Sequence, residues 1–232
     1  MIYEGRQLQA AVASICPDIE SRVAQCRAPA DERALWWELS VCVLSSQVPF
    51  TLAIAAAEAI DKSGVLHCSR HHENVGDAIH GILRTHLKVG GRERLYRFPS
   101  VRAFQLARIH ASVLTNADSL TALLASFETA NHARRWFVAN AHGLGPKQAS
   151  MFLRNVALTY DLAIIDRHVL DYMSLTGLLS NGGNAVSSLK HYLPLEDVLR
   201  VHAEDLKCPV GILDWAIWIV MRIAKQQKGY AQ

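Results

Sequence analysis

The chain has 232 residues, half of them hydrophobic and 19% charged, with a formal net charge of +3. That length fits one domain or two small lobes with a sizeable core, and the composition excludes extensive disorder. The charge is too mildly basic to argue by itself for nucleic-acid binding, although Arg92, Arg94, Arg97, Arg102 and Arg108 cluster along the chain, as do Arg134, Arg135 and Lys147.

Helical periodicity dominates from the N-terminus onward. Ala34, Leu35, Leu39, Cys42 and Val43 recur at helical spacing, as do Leu52, Ala55, Ala56 and Ala59. Breaks fall at Ala28-Pro29-Ala30-Asp31, Ser63-Gly64, Val89-Gly90-Gly91, Phe98-Pro99-Ser100 and Ser180-Asn181-Gly182-Gly183-Asn184. Asp31 and Ser100 each suit the N-cap of the helix that follows. No series of alternating strands with turn signals occurs, so an all-α architecture is expected.

The segment His142-Gly143-Leu144-Gly145-Pro146-Lys147-Gln148-Ala149 carries the most chemistry. A Gly-x-Gly turn that opens into a helix allows a tight bend and a close backbone approach. The first helical N–H groups, unpaired within the helix, then point at an anion such as phosphate. Pro146 suits the first helical position. Lys147 follows in the first turn, where a cation opposes the helix dipole and the neutral amine is favoured. Ala149, Phe152, Leu153 and Val156 form one apolar stripe, while Lys147, Ser150 and Arg154 fall on another face that points away from the core. Lys147 therefore reads either as a nucleophile aimed at DNA or as a simple phosphate donor.

Asp166 stands 19 residues beyond that lysine. Leu162 to Ile165 reads as a short buried connector ended by Asp166 as an N-cap, and Gly177 stops the helix that begins near Arg167. Val169 at the third helical position leaves no capping box to compete for the carboxylate. On the last helix Asp214 and Trp218 are four apart and share a face. Trp215, Ile217, Ile219 and Val220 make that helix apolar all round, the mark of a buried core helix, yet a carboxylate in such a run needs a partner.

Five cysteines (Cys16, Cys26, Cys42, Cys68 and Cys208) show no Cys-x-x-Cys pair, which points to reduced thiols in the cytoplasm. The 11 histidines supply no metal constellation, since His71-His72 and the neighbours His67 and Cys68 lack a partner segment at ligand spacing. No metal is expected. The first residues lack an apolar secretory core, and the run from Trp215 to Met221 is too short to span a bilayer, so no membrane partner is expected. A Ser/His/Asp hydrolase would need a nucleophile elbow, which is absent from the sequence.

The block Gly143 to Val156, taken with Ile164-Ile165-Asp166-Arg167-His168, resembles the helix-hairpin-helix and Gly/Pro-Asp motif of base-excision DNA glycosylases. The resemblance is to the second, archaeal-type family of 8-oxoguanine DNA glycosylase/AP lyases. Fainter likeness extends to Leu44-Ser45-Ser46-Gln47, Tyr96-Arg97-Phe98 and Asp214-Trp215-Ala216-Ile217-Trp218. It implies that residues 1–232 form one glycosylase domain of two helical lobes flanking a cleft, with the hairpin at about 131–157. It also implies a monomer, acting on damaged double-stranded DNA in the cytoplasm or nucleoid.

Residue by residue, the resemblance makes Lys147 the Schiff-base nucleophile and Asp166 the catalytic carboxylate. Gly143 and Gly145 would hold phosphates, and His168 would contact a phosphate beside the flipped nucleotide. Gln47 would face the lesion, and Asp214 and Trp218 would form the base pocket. Plainer readings stand beside these: a solvated surface residue for Arg167, which is grouped with the DNA-binding residues, a helix-end glutamine for Gln47, and a core residue for Trp218. Some members of the wider superfamily carry a four-cysteine iron–sulfur cluster near the C-terminus. Here only Cys208 lies there, and no cofactor is expected. The chain departs from the family pattern in continuing past Met221 to Gln232, where relatives usually end in a lysine, and in having Ala157 where they have glycine. The implied activity is excision of an oxidised purine, 8-oxoguanine, followed by β-elimination. A glycosylase for another modified base and a non-catalytic DNA-binding module are the alternatives.

Overall fold

A computed structural model describes residues 5–25, 31–68, 74–179, 186 and 188–229. Cys26, Ala28-Pro29-Ala30, His71-His72 and the break at Ser180-Asn181-Gly182-Gly183-Asn184 lie outside the described residues. In chain order the elements are α1 (Gly5–Gln25), α2 (Glu32–Leu44), α3 (Phe50–Ser63), α4 (Val75–Leu83), β1 (Leu87–Val89), β2 (Arg92–Arg94) and α5 (Pro99–Asn116). There follow α6 (Leu120–Ala125), α7 (Ala130–Asn140), α8 (Pro146–Asn155), α9 (Arg167–Leu175), α10 (Leu189–Asp205) and α11 (Val210–Gly229). The fold is all-α apart from one small hairpin among the described residues.

The chain divides into two compact units. The first comprises Met1–Arg27, Gly145–Ser150 and Ala157–Gln232. Its core is built from Leu8, Val12 and Ile19 of α1, Val169 and Met173 of α9, Tyr192 and Leu199 of α10, and Leu213, Ile217 and Met221 of α11. Recurrence at three- and four-residue intervals gives each helix one buried stripe, and α1 packs chiefly along α11. The Cys16 and Cys208 thiols stand 3.6 Å apart, and neither they nor Cys42 and Cys68 form a disulfide among the described residues.

The second unit comprises Ala28–Leu144 and Met151–Val156. Short-range signals set its helix starts. Asp31 caps α2 by accepting the Ala34 N–H at 2.7 Å, and Ser119 and Thr129 cap α6 and α7 in the same way. Ser100 does not cap α5. That helix starts at Pro99, whose fixed φ suits the first position, and the Ser100 hydroxyl lies 3.1 Å from His80 Nε2. The Val89-Gly90-Gly91 break is the turn of an antiparallel hairpin in which Leu87 faces Arg94, both glycines having positive φ. A longer-range contact ties α2 to α6: the Glu32 carboxylate accepts the Trp36 indole N–H, the backbone N–H groups of Leu120 and Thr121, and the Thr121 hydroxyl. Two of the clustered arginines are structural, because Arg102 is 8% exposed and Arg134 only 1%.

Candidate active site

The first unit holds Asp166 at the end of a buried, irregular connector, Leu162 to Ile165, which turns at its end as the Asp166 N–H donates to the Ile164 carbonyl at 3.0 Å. A buried backbone N–H must find an acceptor. The neighbouring helices supply one for each. Glu196 on α10 accepts the Ala163 N–H at 2.8 Å, and Tyr192, one helical turn earlier, accepts the Ile165 N–H at 2.9 Å. The intervening Ile164 N–H points the other way and donates to Asp214 Oδ2 on α11 at 2.6 Å. Gly211 makes that reach possible. Its N–H donates to the Tyr160 carbonyl at 2.9 Å, and a Cβ there would meet the same oxygen at 2.7 Å.

Asp166 then caps α9, accepting the His168 N–H at 2.8 Å and the Val169 N–H at 3.0 Å. Both bonds fall on Oδ1, and Oδ2 has no protein partner among the described residues. The cap fixes the plane of the carboxylate while one oxygen stays free to meet a developing positive charge.

Lys147 occupies the first turn of α8 and is partly buried. Ser150, one turn on, differs from the sequence expectation. It is fully buried, and its side chain hydrogen-bonds Tyr192. The Tyr192 hydroxyl also donates to the Ala163 carbonyl at 2.8 Å. Burial pushes this phenol well above its ordinary pKa, so the hydroxyl keeps its proton. One buried oxygen thus touches α8 just behind Lys147 and the connector just before Asp166.

His168 and Trp218 also belong to the first unit. The His168 ring meets Trp218 edge-on, with centroids 6.4 Å apart, and its buried Nδ1 has no hydrogen-bond partner among the described residues. Burial lowers the pKa of this imidazole, opposed by the neighbouring Asp166 carboxylate. Trp218 is 36% exposed with the Arg222 guanidinium 5.0 Å above its ring, so α11 is not buried all round. Asp214 is 2% exposed, and the connector is the partner that its carboxylate required. Arg167 is exposed and pairs with Asp171 at 3.0 Å. Ala157 adopts φ +55, a conformation that explains why a glycine suits the position in the family that the sequence resembles.

In the second unit the α7–α8 turn closes with the Leu144 N–H donating to the Ala141 carbonyl at 3.0 Å. Gly143 has φ +90, and a Cβ on it would meet the Gln105 side chain at 2.4 Å. Arg102 holds that glutamine, donating to Gln105 Oε1 at 2.6 Å and to the Ser46 carbonyl at 3.1 Å. Gln47, next to Ser46, is exposed and has φ +63. The Tyr96 hydroxyl donates to the Leu44 carbonyl at 2.6 Å, so two of the fainter family-like segments meet in this unit. Sequence reasoning did not assign Glu196, Tyr192, Ser150 or Arg102. Only the polar residues inside apolar helical stripes hinted at them.

A family model described as 8-oxoguanine DNA glycosylase matches residues 19–208. The 8-oxoguanine DNA glycosylase/AP lyase of Saccharolobus islandicus is 31% identical over 188 residues, 81% of this chain and 82% of that protein. That of Thermoplasma acidophilum is 29% identical over 187 residues, 81% and 79% of the two chains. The crystal structure of the 8-oxoguanine DNA glycosylase of Thermotoga maritima matches with a TM-score of 0.67 at 29% identity, covering 93% of this chain and 96% of that one. The protein belongs to the 8-oxoguanine DNA glycosylase family.

Proposed function

We propose that this protein is a bifunctional DNA glycosylase/AP lyase that removes 8-oxoguanine from damaged double-stranded DNA as a monomer, in the cytoplasm or on the nucleoid. Gly143 and Gly145 would offer turn amides to phosphates, with His168 and Arg167 adding contacts. Gln47 would occupy the space that the extruded nucleotide leaves. Trp218 would stack the flipped purine, and Asp214 would hold the pocket wall through the connector.

The Lys147 amine attacks C1′ of the deoxyribose, and the C1′–N9 bond breaks with its electron pair leaving on the purine. Asp166 stabilises the positive charge on the sugar and takes up a proton from the amine. Opening of the sugar ring leaves an imine between Lys147 and C1′. The imine acidifies C2′, whose proton departs as the 3′ phosphate is eliminated. Water then hydrolyses the imine and frees the lysine.

The observation that carries this reading is the Asp166 carboxylate, held by two cap bonds on one oxygen with the other oxygen unpartnered among the described residues. The experiment is excision on an 8-oxoguanine duplex with borohydride trapping, comparing wild type with Lys147→Gln. Loss of both signals with duplex binding retained supports the reading, and unchanged excision contradicts the nucleophile assignment. A panel of duplexes carrying other modified bases tests the substrate. Stronger release of a different base would reassign it, and release of none would leave a DNA-binding module.

A further inference from the structure

We propose that Tyr192 is the positioning residue that sets the spacing between the nucleophilic amine and the catalytic carboxylate. The inference rests on the roles proposed for Lys147 and Asp166 and adds the part that holds them in register. The buried hydroxyl of Tyr192 makes three bonds. It accepts the Ile165 N–H at 2.9 Å, donates to the Ala163 carbonyl at 2.8 Å, and is hydrogen-bonded by Ser150. A phenol offers one donor and two acceptor sites, so the carbonyl takes the proton while Ile165 and Ser150 fill the acceptors.

Two of these partners lie close to a reacting group. Ile165 is bonded in sequence to Asp166, and Ser150 lies one helical turn from Lys147 on the same face of α8. Glu196 and Asp214 also hold the connector, but their bonds fall at Ala163 and Ile164, further from the carboxylate. Tyr192 also meets Ser150 on α8. An interior that is densely packed transmits a small shift rather than absorbing it. Removing the hydroxyl strands the Ile165 N–H and uncouples Ser150, so both reacting groups lose their common reference. A misplacement of about 1 Å at such a site costs on the order of a hundredfold in rate.

The test compares Tyr192→Phe with Tyr172→Phe under single-turnover conditions on an 8-oxoguanine duplex. Tyr172 is a matched control: it is buried in the same unit, and its hydroxyl lies 2.9 Å from His202 Nε2 rather than on the connector. Tyr192→Phe is expected to slow excision and borohydride trapping roughly ten- to a hundredfold with unchanged duplex affinity, while Tyr172→Phe keeps the wild-type rate. Ser150→Ala, which removes only the α8 bond, is expected to lower trapping by about severalfold and serves if Tyr192→Phe fails to fold. Wild-type rates in both Tyr192→Phe and Ser150→Ala would overturn the proposal. So would equal losses in the two tyrosine variants that track their melting temperatures, or wild-type trapping in Ser150→Ala when Tyr192→Phe does not fold. If wild type itself neither excises nor traps, the underlying catalytic reading fails instead, and the two failures are distinct.

Discussion

Two irregular segments carry candidate residues, and they are held in opposite ways. The connector Leu162 to Ile165 is buried, with each of its last three N–H groups taken by a side chain from a neighbouring helix. The turn from Ser45 to Pro49 lies nearer the surface. There the carbonyls of Leu44 and Ser46 are gripped by Tyr96 and Arg102, while Gln47 takes a left-handed φ of +63 without being glycine. A carboxylate that must meet a short-lived charge needs a fixed orientation, which buried bonds supply. A side chain that must reach into a duplex needs projection, and an αL residue at a helix end projects at a cost of roughly 1–2 kcal/mol.

The largest test of that contrast is Asp166→Asn. Asparagine caps a helix about as well as aspartate, so folding should survive, while excision should slow by about a hundredfold or more because the charge is lost. Single-turnover kinetics beside a melting curve separate the two effects, and wild-type turnover would remove the contrast.

At the other segment, Gln47→Gly should raise stability by up to about 1 kcal/mol by releasing the left-handed strain. The same change should weaken binding to lesion-bearing duplex by roughly fivefold, the equivalent of about 1 kcal/mol of lost contact. Lower stability, or unchanged affinity, would mean that the strain serves something other than projection.

The smallest effect is on pH. Burial holds His168 and His202 below the ordinary histidine pKa in the folded state. The unfolded chain therefore binds more protons as pH falls through about 6.5, and stability present at neutral pH declines with acidification. A melting temperature that drops between pH 7.5 and pH 5.5 is expected, and one that rises would contradict the burial of these rings.

What the sequence made legible was local. Asp31 and Asp166 act on N–H groups two or three residues away, and Gly64, Gly143 and Gly177 mark positive φ where a turn or helix end requires it. The hidden part depends on distance along the chain. The anchors of the connector lie 27, 33 and 50 residues from the groups that they bond, and no periodicity announces such pairs. Ser150 shares the Lys147 face of α8 yet is buried against Tyr192, a contact that no local pattern announces. Arg102 and Arg134 looked like members of basic surface clusters because charge in sequence carries no information on burial. The β1–β2 hairpin was read only as a break, since strands of three residues are too short for alternation to show. Trp218, for which the sequence leaves pocket and core both open, is partly exposed with its ring edge-on to His168.

The central claim is that one lysine performs the covalent chemistry. Borohydride reduction of wild-type protein on an abasic-site duplex, followed by proteolysis and mass mapping of the adduct, tests it most directly. The sugar remnant is expected on the peptide containing Lys147, with none on that peptide in Lys147→Gln. An adduct on a different lysine or on the N-terminal amine, formed at the wild-type rate, would contradict it.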